Sequence, residues 1–432
     1  MDRQAKKLRV GMVGMGMIFD ETYRHVFEQW QHAGGFWHRD YGCVEAELAA
    51  VATRTGARAE TYRRTLAGDA ARFQSFVGPG AMDELLASGV DVVCVATPDD
   101  RHYEPARKAL QAGKHVLIEK PSVLCLSELD DLIRLSREQQ VLCKVVYHKL
   151  ADPDHKALRT RVANGTLKHV NSGYCSLLEP KSISQSQFSE WIAGRNPATY
   201  VAVHYIKLID FTFAATDLDS RWRLHRISAN GQRGLTANAW DSVHLQFVYR
   251  DRVSREAAFD IHTSWVMPNN FPGYVEQEVQ FRFDNAIWNA HQRKRGVEVC
   301  IEGYTPEVLK ITPNHHYNAQ CLEPWGEMRH RGYGLEVIER FFHEVAYVEY
   351  AEQIQTRAAR FNEISQLRYN DIAQDKRVIA VVQALEQILS EQAAGSVNST
   401  VTVDEPGDGL WLWKLGASKP EPLYAGRVNS DD

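Results

Sequence analysis

The sequence predicts an α/β protein in two parts. A doubly wound parallel sheet with helices on both faces comes first, and a region built on a mainly antiparallel sheet follows. Apolar strand-like runs alternate with helical stretches over the first ~150 residues, the pattern of parallel pairing. Two glycines stand where the first of those runs ends. Beyond them, apolar residues recur at every second position, as in a sheet with one covered face.

Residues 8–13, 47–53, 90–96, 115–118 and 141–147 read as strands rich in Val and Ala. Between them, 58–66, 103–112 and 126–139 read as helices, and 31–43 looks inserted ahead of the second strand. From about residue 150 the reading changes. Residues 199–212 form a buried helix, and 221–228, 243–249, 255–263 and 276–283 are strands. Val243, Leu245 and Phe247 share one face. Helices over 334–348 and 371–390 follow. The tail from 394 is rich in Gly, Ser, Pro and Asp, and its Trp411 and Trp413 suit an apolar strand packed on the body or on a neighbouring subunit. No internal repeat is present. The expected organisation is 1–148, 149–394 and a tail, 395–432.

The 432 residues suit two to three domains, and 44% apolar with 24% charged residues excludes wholesale disorder. A net charge of −5 offers no bulk attraction to nucleic acid or anionic lipid. No apolar run is long enough to span a bilayer, and the first residues lack a secretory pattern. The seven cysteines are scattered without a Cys-x-x-Cys pair, which suggests reduced thiols, a cytoplasmic protein and no zinc site. His315 and His316 lack ligand spacing, so no metal is expected.

Gly14 and Gly16 fit the first two glycines of G-x-G-x-x-G, with Met17 and Ile18 opening the helix beyond. The first glycine makes the tight turn. The second lets the backbone approach a pyrophosphate resting on the helix N-terminus. Phe19 occupies the third position, where Gly or Ala is usual. An acid normally ends the second strand and binds the ribose, but here Thr53 and Arg54 stand there. A hydroxyl beside a guanidinium suits a 2′-phosphate, so the cofactor is NADP or NAD with NADP mildly favoured.

Thr97, Pro98 and His102, then Gly113–Val116 and Glu119-Lys120-Pro121, closely resemble the glucose–fructose oxidoreductase/inositol dehydrogenase (Gfo/Idh/MocA) family. The resemblance spans 6–390 and takes in Tyr147-His148-Lys149 with Asp152-Pro153. It implies a Rossmann domain, then an α/β domain with a large open sheet whose C-terminal helices return to the first domain. It also implies subunits paired through that sheet, as a homodimer or homotetramer. Thr97, Pro98, His102 and Glu119 become cofactor-side residues. Lys120 serves cofactor, substrate and catalysis, oriented by Glu119, with Pro121 often cis. His204 matches the catalytic histidine, and Tyr147, His148 and Lys149 the polar positions near substrate.

On a helix Tyr200, His204 and Lys207 share one stripe, while Ala202, Ile206, Ile209 and Phe213 face the core. Many members carry Asp where Tyr200 and Lys207 stand. Tyr200 can hydrogen-bond but cannot balance an imidazolium, and a nearby Lys207 would disfavour one. Trp191, Arg195 and Asn196 could form a substrate wall.

These residues suit an NAD(P)-dependent oxidoreductase acting on a sugar, sugar derivative or cyclic polyol. His204 is acid/base, assisted by Tyr200, and Lys120 polarises the reacting oxygen. Two alternatives stay open: a redox-assisted glycosidase or lyase with tightly held cofactor, and a non-catalytic nucleotide-binding regulator.

Overall fold

The structure, a computed structural model, describes residues 6–66, 72–182, 184, 192, 194–214, 222–235, 239–271, 275–292, 297, 299–302, 308–311, 314–367, 369–404 and 409–425. It divides into two compact units: 1–151 with 316–375, and 152–315 with 376–432. The first boundary therefore falls at 151/152 rather than 148/149, and 316–375 joins the first unit.

The first unit is built on β1 (Lys6–Val13), β2 (Phe36–His38), β3 (Gly42–Thr53), β4 (Gln74–Val77), β5 (Val92–Val95), β6 (His115–Glu119) and β7 (Cys143–Val146). The strand order is β2-β3-β1-β5-β6-β7, with β4 also paired to β3. All pairs are parallel except β2 with β3. Every residue of β5, β6 and β7 is buried, as a sheet covered on both faces requires. The segment 31–43 closes the helix Arg24–Ala33 at left-handed Gly34, then runs back as β2 beside the start of β3. The insertion is thus a hairpin on the sheet edge. Helix Tyr333–Tyr350 packs its apolar stripe into the same core, where Phe342 meets Phe27 and Trp30 edge-on.

The second unit holds β8 (Val170–Pro180), β9 (Arg223–Gln232), β10 (Ser242–Arg250), β11 (Glu256–Met267), β12 (Glu276–Phe283) and β13 (Ile287–Ala290). They order as β13-β12-β8-β11-β10-β9, and only β8 with β11 is parallel. Val243, Leu245, Phe247, Phe259 and Phe281 face a buried layer that includes Phe213. The tail is no appendage. Thr400–Val403, Leu410–Trp413 and Glu421–Tyr424 extend this sheet beyond β9. Helix Lys376–Ala393 covers one face, and a Cβ at Gly231 would lie 2.5 Å from Trp240 and 2.9 Å from Leu389. No helix among the described residues is long and apolar enough to cross a membrane.

Candidate active site

β1 delivers the chain to Gly14, whose N–H donates to the Ala52 carbonyl at 3.0 Å. Gly14 has φ +86°, and a Cβ there would stand 2.5 Å from the Ala96 carbonyl oxygen. Backbone and space both demand glycine. Gly16 differs: its Cβ would meet nothing within 4 Å. Open space over a glycine at the start of the helix that opens at Met17 is what a pyrophosphate needs, so the loop fits a dinucleotide. Met17 and Ile18 are half-buried beside it. Phe19, in place of the small third residue, lies in a π turn (Phe19–Tyr23) and is fully buried edge-on to Tyr62.

Gly14→Ala should cost about 1–3 kcal/mol of stability from the left-handed backbone alone. Dinucleotide affinity should fall at least about tenfold as the loop shifts away from Ala96. Thermal melting and cofactor titration check this, and wild-type values in both would contradict it.

At the end of β3 the Thr53 hydroxyl accepts from the Gly56 N–H at 3.0 Å, and Arg54 is exposed. Arg58, one turn into the next helix, pairs with Asp20 at 3.3 Å on the surface. The sequence had not singled out Arg58.

The strand ends that should meet the nicotinamide half are bolted together. The Thr97 hydroxyl donates to the Arg101 carbonyl at 3.1 Å, and Pro98 is half-buried beside it. His102 is 1% exposed, with its ring nitrogens 2.8 Å from the Thr97 carbonyl and 2.7 Å from the Pro121 carbonyl. It clasps the turn after β5 to the turn after β6, which corrects its expected role as a cofactor contact. His115 is likewise structural: Nδ1 accepts from Leu142 N–H, which leaves Nε2–H to donate to Glu349.

Glu119 ends β6 in the core and accepts from the Tyr23 hydroxyl at 3.0 Å. Burial pushes its pKa up to about 7, while Lys120 and Tyr23 pull it down. Half-buried Lys120 follows, joined to Pro121 by a cis peptide bond. Next, the Ser122 hydroxyl donates to Asp375 at 2.5 Å, and the Tyr147 hydroxyl reaches the same carboxylate at 2.8 Å. Asp375 is fully buried and lies 253 residues from Ser122 along the chain, beyond the reach of any motif. Tyr147 is itself fully buried with its hydroxyl on Asp375, so it positions the turn and does not meet substrate as expected. Lys149 is buried one residue beyond His148 in the same 3₁₀ turn.

In the second unit, the predicted buried helix is an α-helix, Val203–Ile209, flanked by π turns at Ala198–Ala202 and Asp210–Ala214. Tyr200 and His204 are half-buried, but Lys207 is only 1% exposed. Tyr200 lies 6.2 Å from Trp265, whose indole N–H donates to buried Glu179 at 2.9 Å. Asn196 caps the helix through Thr199 N–H and donates to Glu386, so it belongs to the scaffold rather than to a substrate wall. Arg195 lies one residue before it and is half-buried. Trp191 lies outside the described residues.

Residues 8–147 match the family model described as GFO_IDH_MocA, oxidoreductase family, NAD-binding Rossmann fold. Over this stretch the chain is similar to the Rossmann domain of the Gfo/Idh/MocA family. UDP-N-acetylglucosamine 3-dehydrogenase of Acidithiobacillus ferrooxidans is 29% identical over 176 residues, 41% of this chain and 48% of that protein. D-glucoside 3-dehydrogenase of Escherichia coli is 31% identical over 170 residues, 38% of this chain and 41% of that one. The chain thus matches about half or less of the length of these Gfo/Idh/MocA relatives. Among solved structures, GenD2 from gentamicin A biosynthesis, in complex with NAD, has a TM-score of 0.63 at 16% identity over 93% of this chain and 98% of that chain. Scyllo-inositol dehydrogenase of Lactobacillus casei, with NAD(H) and scyllo-inositol, has a TM-score of 0.58 at 14% identity over 88% and 96%. At such identities the likeness shows a shared fold.

Proposed function

We propose that the protein is an NAD(P)-dependent oxidoreductase moving hydride between nicotinamide and a secondary alcohol carbon of a sugar, sugar derivative or cyclic polyol. The observation that carries this reading is the Glu119-Lys120-Pro121 turn, held at the end of β6 by His102 and, through Ser122, by Asp375, in the sheet that also presents the open Gly16 cradle. In a doubly wound sheet the crevice beyond the strand ends is where ligands bind. The sugar and inositol dehydrogenases among the relatives support the substrate class.

The bound nicotinamide supplies the hydride acceptor. The chain's task is the oxygen and its proton. The Lys120 ammonium donates to the substrate hydroxyl and stabilises the negative charge that grows there as the proton leaves. Glu119, fixed by Tyr23, offsets the lysine charge and aims its amine. His204 accepts the hydroxyl proton, with Tyr200 orienting the ring. Lys207 is proposed as a substrate-side neighbour of His204.

For the cofactor, we propose a preference for NADP gripped by Arg54, with Thr53 and Arg58 adjoining. One charge-assisted contact to the 2′-phosphate is worth about 1.5–3 kcal/mol. Arg54→Ala should therefore lower the NADP/NAD affinity ratio by roughly one to two decades. Titration of both cofactors reads it, and an unchanged ratio refutes the contact.

The second unit's sheet exposes a polar face carrying Tyr174, His244 and Asp260, and we propose that copies pair through it. The seven cysteines form no disulfide, which supports a cytoplasmic location.

A further inference from the structure

Tyr23 closes the π turn Phe19–Tyr23 that follows the Gly16 cradle, and it is fully buried. That turn follows β1, whereas Glu119 ends β6, and β5 runs between those two strands. The hydroxyl of Tyr23 nevertheless donates to the Glu119 carboxylate at 3.0 Å. The side chain thus reaches past β5 and ties the segment carrying the dinucleotide loop to the turn carrying Lys120. Single π turns are frequent at functional sites.

A buried carboxylate stays charged only where cations or donors compensate for its lost hydration. Burial pushes the Glu119 pKa up to about 7, against the pull of the Lys120 charge and then of the Tyr23 hydroxyl. Cys94 faces it from β5, with a thiol that burial pushes up and so keeps neutral. Val146 stands opposite it on β7 and is apolar. The Tyr23 hydroxyl itself is raised by burial first and by Glu119 next, so it keeps the proton that it donates. Glu119 is therefore balanced near neutrality, where one donor decides its charge. Charged, it gives Lys120 a counter-charge one residue away. Protonated, it leaves the ammonium without one.

We infer that Tyr23 is a positioning residue that acts on Lys120 through Glu119, its hydroxyl keeping that carboxylate charged and in place so that the lysine works at neutral pH. The inference rests on the dehydrogenase reading above and adds to it a residue remote from the substrate in the chain and in the sheet.

The test follows the protonated-carboxyl band of Glu119 by difference infrared spectroscopy of the full-length protein, with Glu119→Gln to assign it. In wild type the band should grow as pH falls through about 7. Tyr23→Phe removes only the hydroxyl and should move that titration up by about one to two pH units, the strength of a hydrogen bond to a charged group. Activity that needs the carboxylate is present above its pKa and lost below it, so the acid limb of kcat/KM should move up as well. In the Glu119→Gln background there is no ionisation to govern, and Tyr23→Phe should change kcat/KM by less than about twofold. A band that stays in place in Tyr23→Phe overturns the inference, as does a wild type with no such band between about pH 5 and about pH 9. An equally large effect of Tyr23→Phe with and without Glu119 overturns it too, since the tyrosine would then act by another route. A wild type that reduces no cofactor with any sugar or polyol overturns the dehydrogenase reading instead, because the infrared titration reads Glu119 without turnover.

Discussion

Lys120→Met should abolish practical turnover, lowering kcat by about 10²–10³-fold, the loss that follows removal of one donor aimed at developing oxyanion charge. Met keeps the length and apolar stem of the lysine and removes only the ammonium. The surrounding turn has other holds. The His102 ring holds the Pro121 carbonyl, Asp375 holds Ser122, and Tyr23 holds Glu119. Cofactor affinity should therefore change by less than about threefold, since the Gly14 loop is untouched. Single-turnover and steady-state rates with a cofactor titration give the answer. Near-wild-type kcat would remove Lys120 from the reacting centre.

His204→Ala should lower kcat/KM by about 10²–10⁴-fold, the range for a lost general base. The neighbours of His204 make a sharper test. Tyr200→Asp restores the carboxylate common in the family and stabilises an imidazolium, so the acid limb of kcat/KM should move to higher pH. Lys207→Met removes a positive charge and should move that limb in the same direction. Tyr200→Phe should lower activity without shifting the limb far, because only an orienting hydroxyl is lost. Lys207 is fully enclosed, so its variant is to be read alongside a melting curve. Superimposable profiles for all variants, with activity retained in His204→Ala, would make this helix plain core.

What the sequence showed and hid follows from the range of the interactions. β1, β5 and β6 carry apolar runs in a covered sheet, and helix Leu126–Gln139 carries its own apolar stripe, so local pattern finds them. β2 and β4 have three and four residues, too few for a period to emerge. Helix Pro153–Ala163 buries only His155 and Leu158, leaving no stripe to read. The tail strands have four residues each and are ordered by pairing with β9, a long-range effect. In the site, Gly14 and Lys120 were legible because motif and backbone coincide there. His102 and Tyr147 were placed correctly along the chain, but their side chains turn inward onto carbonyls and Asp375. A motif fixes position and leaves side-chain direction to packing. Tyr23 and Asp375, which hold the Glu119-Lys120 turn, come from distant segments and carry no local signal.

The central claim is that hydride is transferred net to a nicotinamide cofactor, and that Lys120 is needed for it. The most direct measurement mixes the purified protein with NADP or NAD and a panel of sugars, glucosides and inositols, and follows the absorbance band of reduced nicotinamide. The account predicts steady accumulation with at least one substrate, faster with NADP, and none in Lys120→Met. Cofactor that binds but shows no accumulation with any substrate, or equal accumulation in wild type and Lys120→Met, would contradict it.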